Sequence, residues 1–178
     1  MPSYRRNRVT GATYFFTVNL ADRRAALLVD NIDLLRAAFR NVRQRHPFAI
    51  DAIVVLPDHL HAVWTLPEED DDFAARWNLI KGAFSRGMPR GEPASASRSS
   101  RRERGIWQRR YWEHTIRDDD DFACHVDYIH FNPVKHGYVE HVADWPFSSF
   151  HRFVRRGLYP ADWGAKVVSA EHSFGERS

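Results

Sequence analysis

Cysteine is nearly absent: the 178-residue chain carries one, Cys124. An intrachain disulfide is therefore excluded, and so is a zinc site built on thiolates. Cys124 falls in a stretch that reads as helix, where a packed role is expected over a reactive one. Lysine is also scarce. Lys81, Lys135 and Lys166 are the whole set, so arginine carries nearly all the positive charge. The formal excess is small, +3, although the pI is about 9.2. Long apolar runs are missing as well: none approaches the roughly 20 residues of a spanning helix. The N-terminus opens on Arg5, Arg6 and Arg8 instead of an apolar leader. A soluble, cytoplasmic protein with no membrane partner is the expectation.

What the chain does have is arginine and aromatic residues. Arginine makes planar, bidentate contacts with phosphate and stacks on bases. A small, basic, arginine-biased, Trp-rich protein leans towards nucleic acid. The competing explanation is a GC-rich genome, which favours arginine codons without any such function.

Residues 1–12 read as a basic N-terminal arm, with Arg5 and Arg6 able to lie along a phosphate backbone. Thr13–Leu20 is aromatic and β-branched, a first strand. Ile32, Leu35, Phe39 and Val42 recur at helical spacing, so Asp30–Arg45 predicts a helix, ended by Pro47. Phe48–Leu56 and His59–Leu66 form an antiparallel pair around a tight Pro57–Asp58 turn. An acidic cluster, Glu68–Asp72, opens a helix running to about Arg86. Trp77 and Phe84 lie on its apolar stripe, where core packing is commoner than base stacking. Residues 87–105, rich in Arg and Ser, read as a mobile loop; Arg101, Arg102 and Arg104 make it a candidate DNA contact. Ile106–Arg117 predicts a fourth strand, with Arg109 and Arg110 on opposite faces. Phe122–Asn132 predicts a helix that ends or kinks at Asn132, because Pro133 disfavours α geometry before it. Trp145–Arg156 predicts a last helix, and residues 157–178 a C-terminal tail. Residues 13–156 would then be one α+β domain: a ferredoxin-like antiparallel sheet with helices packed on one face.

Two stretches carry chemistry. In Pro57-Asp58-His59-Leu60-His61-Ala62-Val63-Trp64, strand alternation sends His59 and His61 to the same face, where two imidazoles can share a divalent cation. The plainer alternative is a solvated sheet face. In Tyr128-Ile129-His130-Phe131-Asn132-Pro133-Val134-Lys135-His136-Gly137, Tyr128 and Asn132 stand one helical turn apart and share a face. A tyrosine is a weak nucleophile at neutral pH, yet it can form a phosphoester when the phosphate is activated by a metal. Asn132 can add a third, oxygen ligand. Two imidazoles and one oxygen suit Mg²⁺ or Mn²⁺ with room for phosphate oxygens. Most helical tyrosines simply pack. Lys135 is placed for a phosphate contact, while His130 and His136 read as structural or surface residues.

Together these two stretches resemble the HUH single-tyrosine transposases, and more narrowly the REP-associated tyrosine transposases. Asp144–Phe153 and Leu158–Gly164 resemble that branch too. The resemblance implies a ferredoxin-like fold with His59, His61 and Asn132 as metal ligands. It implies that Tyr128 attacks single-stranded DNA near a hairpin foot, holds a 5′-phosphotyrosine link and frees a 3′-OH. It also implies REP-like hairpin DNA as partner, a monomer, and association with the nucleoid when DNA is bound. Residues 87–105 depart from the pattern. Two other functions compete: a non-catalytic single-stranded or hairpin DNA-binding protein, and a metal hydrolase using water as nucleophile. The second lacks an evident carboxylate base, since Asp58 is expected on the strand face opposite the histidines.

Overall fold

The computed structural model describes residues 7–91, 97 and 104–164. β1 (Thr13–Asn19) is buried on both faces from Tyr14 onward. That is why it reads as an apolar-aromatic run and why it sits inside the sheet. After a short α1 (Leu27–Asp30), α2 (Ile32–Arg45) turns Leu35, Ala38, Phe39 and Val42 inward. β2 (Ala49–Val55) and β3 (His59–Thr65) form the expected hairpin, closed by the Leu56 N–H donating to the His59 carbonyl at 2.9 Å.

α3 (Phe73–Gly87) begins after Asp72, whose side chain caps it by accepting from the Ala75 N–H. Trp77 and Phe84 are fully buried, so they are core residues. β4 (Trp112–Thr115), α4 (Asp119–Lys135), a 3₁₀ turn (Val142–Asp144) and α5 (Phe150–Arg155) complete the chain. The strands are all antiparallel in the order β2-β3-β1-β4, which is the ferredoxin-like arrangement.

α2 and α3 cover one face, packing Phe39, Trp77 and Phe84 with Tyr14, Phe16, Leu60, Ala62 and Trp64. The expectation that all helices share that face holds only for this pair. α4 covers the opposite face, where Val126, Tyr128 and Ile129 meet Phe15, Ala52, Val54 and Val63. β1 and β3 carry large apolar residues at both odd and even positions, so neither face can be left in water.

Three elements differ in extent from the sequence reading. The fourth strand is shorter than Ile106–Arg117. Trp107 bridges Leu20 and Trp112 pairs with Thr17, so the incoming chain has more residues between these points than β1 does. The excess, around Arg109–Tyr111, leaves the ladder. α4 runs past Pro133, which lies in its last turn, and the end is tied by His136 N–H to the Asn132 carbonyl at 3.0 Å. It also starts earlier, because Asp118 caps it by accepting from the Asp121 N–H at 2.8 Å.

The last helix begins only at Phe150. Trp145–Ser149 instead pairs with the outer edge of β2, through Val55 N–H to the Phe147 carbonyl and Ser149 N–H to the Ile53 carbonyl, both 2.8 Å. An edge strand needs such partners. Beyond it, Tyr159 and Trp163 pack around His130 of α4. Gly164 has φ +83, and a Cβ there would stand 2.9 Å from Val142, so this turn takes glycine alone. Cys124 lies in α4 as expected but is exposed, not packed.

Candidate active site

The histidines of β3 are in the interior. His59 is 1% exposed and His61 0%, which removes the solvated-face alternative. Their ring centroids are 5.0 Å apart. Each ring is held through Nδ1. His59 Nδ1–H donates to Asp58 Oδ1 at 2.7 Å; a carboxylate only accepts, so this bond sets the tautomer and gives Nε2 the lone pair. His61 Nδ1 lies 2.8 Å from Thr17 Oγ1, its directly opposed residue on β1.

Asp58 corrects the sequence reading. It sits in the turn before β3, outside the strand's alternation, and its side chain swings to the histidine side. Its second oxygen accepts from Arg23 Nε, while Arg23 Nη1 donates to Asn19 Oδ1 at 2.8 Å. Burial works to raise the Asp58 pKa, but the hydrogen bonds from His59 and Arg23 outweigh it and hold the carboxyl below its usual range. Burial holds the His59 imidazole below its ordinary value, against the pull of Asp58. Neutral imidazoles are the form that binds a metal.

α4 brings the second stretch onto this face. Tyr128 is 4% exposed, with its ring edge-on to His61 at 5.2 Å and to Phe15 at 6.1 Å. Asn132, one turn on, is fully buried. Lys135, nearly two turns from Tyr128, donates from Nζ to the Tyr128 hydroxyl at 3.2 Å. His136, just past the helix, stands with its ring 5.2 Å from His59. The structure thus gathers His59, His61, Tyr128 and Lys135. It adds Asp58, Thr17, Arg23 and His136, for which the sequence offered little beyond a carboxylate adjoining the histidine pair.

The donor set tests well for a divalent cation. Two imidazoles have their Nδ1 atoms engaged by other side chains, and a buried amide lies on the helix face that carries Tyr128. A second cluster, His114, Asp121 and His125, also brings its ligand atoms within 4.8 Å of one another. Here the hydrogen bonds describe a staple between β4 and the first turn of α4. Asp121 Oδ2 takes His114 Nε2 at 2.8 Å and the Arg117 backbone N–H at 3.0 Å. His125 Nδ1–H donates to the Asp121 carbonyl at 2.7 Å. Burial opposes ionisation of Asp121, yet these donors pull its pKa down to about 2.

His130 faces away from Tyr128, as its spacing predicts. It is fully buried, bonded to Ser149 Oγ at 2.9 Å, and pushed down to about 3 by burial, aided by the nearby Arg152 and His151. Tyr111 packs against Phe16 and Trp77 on the other face of the sheet.

Arg104 Nη1 donates to the carbonyls of Ser85 and Met88, closing the end of α3. Arg109 and Arg110 are exposed on the segment before β4, and Arg109 Nη2 donates to the Ser97 carbonyl at 3.1 Å. Arg5, Arg6, Arg101 and Arg102 lie outside the described residues.

A protein from Escherichia coli (strain K12), named REP-associated tyrosine transposase, is 50% identical over 177 residues, 99% of this chain and 98% of its own. A Haemophilus influenzae protein is also 50% identical, over 165 residues, 92% of this chain and 94% of its own. A solved structure of a REP-associated tyrosine transposase bound to a REP hairpin superposes with a TM-score of 0.85 at 49% identity, covering 100% of this chain and 99% of that one. Residues 8–132 match the family model described as transposase, IS200 like, and the chain belongs to the IS200-like transposase family.

Proposed function

We propose that this protein cleaves single-stranded DNA beside REP-like hairpins and rejoins strands, through a covalent 5′-phosphotyrosine on Tyr128. The observation that carries this reading is the Tyr128 phenol packed against His61, beside two buried imidazoles with their Nδ1 atoms engaged. The relatives support the substrate class: one is named for REP association, and a solved one holds a REP hairpin.

His59, His61 and Asn132 would hold Mg²⁺ or Mn²⁺. When bound, the cation withdraws charge from the scissile phosphate and so favours attack on phosphorus. The protein's own side chains do the rest. Asp58 and Thr17 hold the two imidazoles in orientation. Phe15 and His61 fix the Tyr128 ring, so its oxygen is delivered in a defined direction. The phenolic oxygen bonds phosphorus, the P–O3′ bond breaks, and a 3′-OH is released; strand joining reverses these steps. Arg5, Arg6, Arg101, Arg102, Arg104, Arg109 and Arg110 are the candidates for backbone contacts, which position DNA without reading its sequence. No helix among the described residues is long and apolar enough to cross a membrane, and a cytoplasmic monomer acting on the nucleoid fits a DNA substrate.

The test is incubation with single-stranded hairpin DNA and Mg²⁺, followed by a denaturing gel. Wild type should give a protein–DNA adduct that chelator abolishes. Tyr128→Phe should bind the hairpin normally and give none. His59→Ala and His61→Ala should lose cleavage and keep most binding. Nicking by Tyr128→Phe would make water the nucleophile and overturn the proposal in favour of a metal hydrolase.

A further inference from the structure

We propose that Lys135 is a catalytic residue acting on the nucleophile, instead of one more contact to the DNA backbone. This deepens the reading above and rests on Tyr128 being the attacking group. Two measurements point there. Lys135 Nζ donates to the Tyr128 hydroxyl at 3.2 Å, and the same nitrogen stands 4.7 Å from the Tyr128 ring centroid. An ammonium so placed serves the phenolic oxygen and the ring face at once. Residues seven apart on a helix share one face, so α4 itself sets the pairing. The helix is fastened at both ends. Asp118 and the Asp121 cluster hold its start, and the His136 and Gly137 N–H groups close its finish. Lys135 is exposed while Tyr128 is buried. The charge therefore stays at the solvent rim, with its hydration partly kept, and only its tip reaches the reacting oxygen.

The chemistry needs a positive group at that point. In cleavage, the Tyr128 O–H proton passes to solvent water and the phenolic oxygen forms the O–P bond. The P–O3′ bond then breaks, its electron pair leaves on O3′, and O3′ takes a proton from water. In joining, a 3′-OH gives its proton to water and its oxygen attacks the phosphotyrosine, and the phenolic oxygen departs carrying the electron pair of the broken O–P bond and takes a proton from water. In both directions this oxygen bears negative charge on one side of the transition state. A fixed N–H donor aimed at such an oxygen stabilises that charge more than it stabilises the resting phenol. Among the described residues the chain has only two lysines, Lys81 and Lys135. Lys81 sits over Tyr111 on the other face of the sheet.

The experiment compares full-length wild type with Lys135→Met, which keeps much of the side chain's length without the charge, and Lys135→Arg. Single-turnover adduct formation is measured at saturating hairpin DNA and fixed pH. Hairpin affinity is measured separately, and joining is measured from the preformed adduct. Lys135→Met should slow adduct formation and joining alike, by roughly 100-fold, the usual effect of losing one such donor. Affinity should change no more than about 3-fold, because phosphate contacts from other residues carry the binding. Lys135→Arg should recover part of the rate. An unchanged melting temperature excludes misfolding as the cause.

Unchanged rates with weakened affinity would return Lys135 to a phosphate contact and overturn the proposal. So would unchanged rates and affinity together. Mapping the adducted peptide in wild type separates the two readings: an adduct on any residue but Tyr128 overturns both, while one on Tyr128 with a normal Lys135→Met rate overturns only this one.

Discussion

The two faces of the sheet are made from the same strands and obey different rules. On the α2–α3 face, Phe16, Leu60, Ala62 and Trp64 alternate with residues that point the other way. Trp64 stacks on Trp77 at 4.2 Å and meets Phe48 at 4.2 Å. The face is mostly apolar; the Tyr14 hydroxyl donates to the Val9 carbonyl at 2.9 Å and the buried Arg76 guanidinium pairs with Asp70 at 2.7 Å, and burial accounts for most of the arrangement. On the α4 face, the residues in between are Phe15, Thr17, His59, His61 and Val63, and Thr17, His59, His61 and Asn132 are polar and buried. Burying such groups costs free energy unless they are bonded. The face answers with side-chain pairs: Asp58 on His59, Thr17 on His61, Lys135 on Tyr128. One face stores stability, and the other holds polar groups at fixed separations.

The contrast can be broken by substitution. Trp64→Ala should destabilise the protein by about 3–5 kcal/mol, the range for large-to-small changes in a packed core, as read by denaturant unfolding. Whatever fraction remains folded should keep the divalent-cation affinity proposed for the opposite face, because the change lies away from it. A loss of affinity in the folded protein would show that the faces are not separable.

Asp58→Asn tests the other face. An amide cannot hold His59 as a carboxylate does, and loss of such a supporting partner typically lowers metal affinity by 10–100-fold. Titration with Mn²⁺ should show that drop, with a stability change of only about 1 kcal/mol. A large stability loss with unaltered affinity would make Asp58 a structural residue.

The last prediction concerns acid. His130 is buried neutral, with its pKa pushed down to about 3. The unfolded chain takes up a proton near 6.5 and the folded one does not. Stability should therefore fall as the pH drops from about 6.5 towards 3, by up to about 1.4 kcal/mol per unit. Burial also holds His59 and His125 low, so they act in the same direction. His130→Gln should flatten the pH dependence of unfolding between pH 6.5 and 5 without flattening it completely. A slope unchanged in this variant would show that the acid sensitivity comes from the other two histidines.

Much of this was legible in the residues. Apolar spacing, acidic clusters and proline positions marked four strands, the three long helices and the βαββαβ order. His59 and His61 could be placed on one strand face because side-chain alternation is a local property of the backbone. Tyr128 and Asn132 could be placed on one helix face for the same reason. The resemblance to REP-associated tyrosine transposases rested on those same stretches, and the comparisons bear it out. Local rules failed where an element's fate depended on a distant partner. Trp145–Ser149 looked helical from its neighbours, yet the open edge of β2 captured it. Residues 109–111 alternated like a strand, yet between the paired Thr17 and Leu20 the β1 side offers too few residues to match them.

What the sequence by itself determined is therefore the set of faces: which side chains share a strand side or a helix side, and so which groups can act together. Only the tertiary structure decided which faces meet. That α4 crosses the histidine face and that Asp58 turns back to His59 follow from contacts between residues far apart in the chain or outside regular elements. Periodicity carries no information there. Buried polar groups must find partners wherever the packing of the whole sheet allows them.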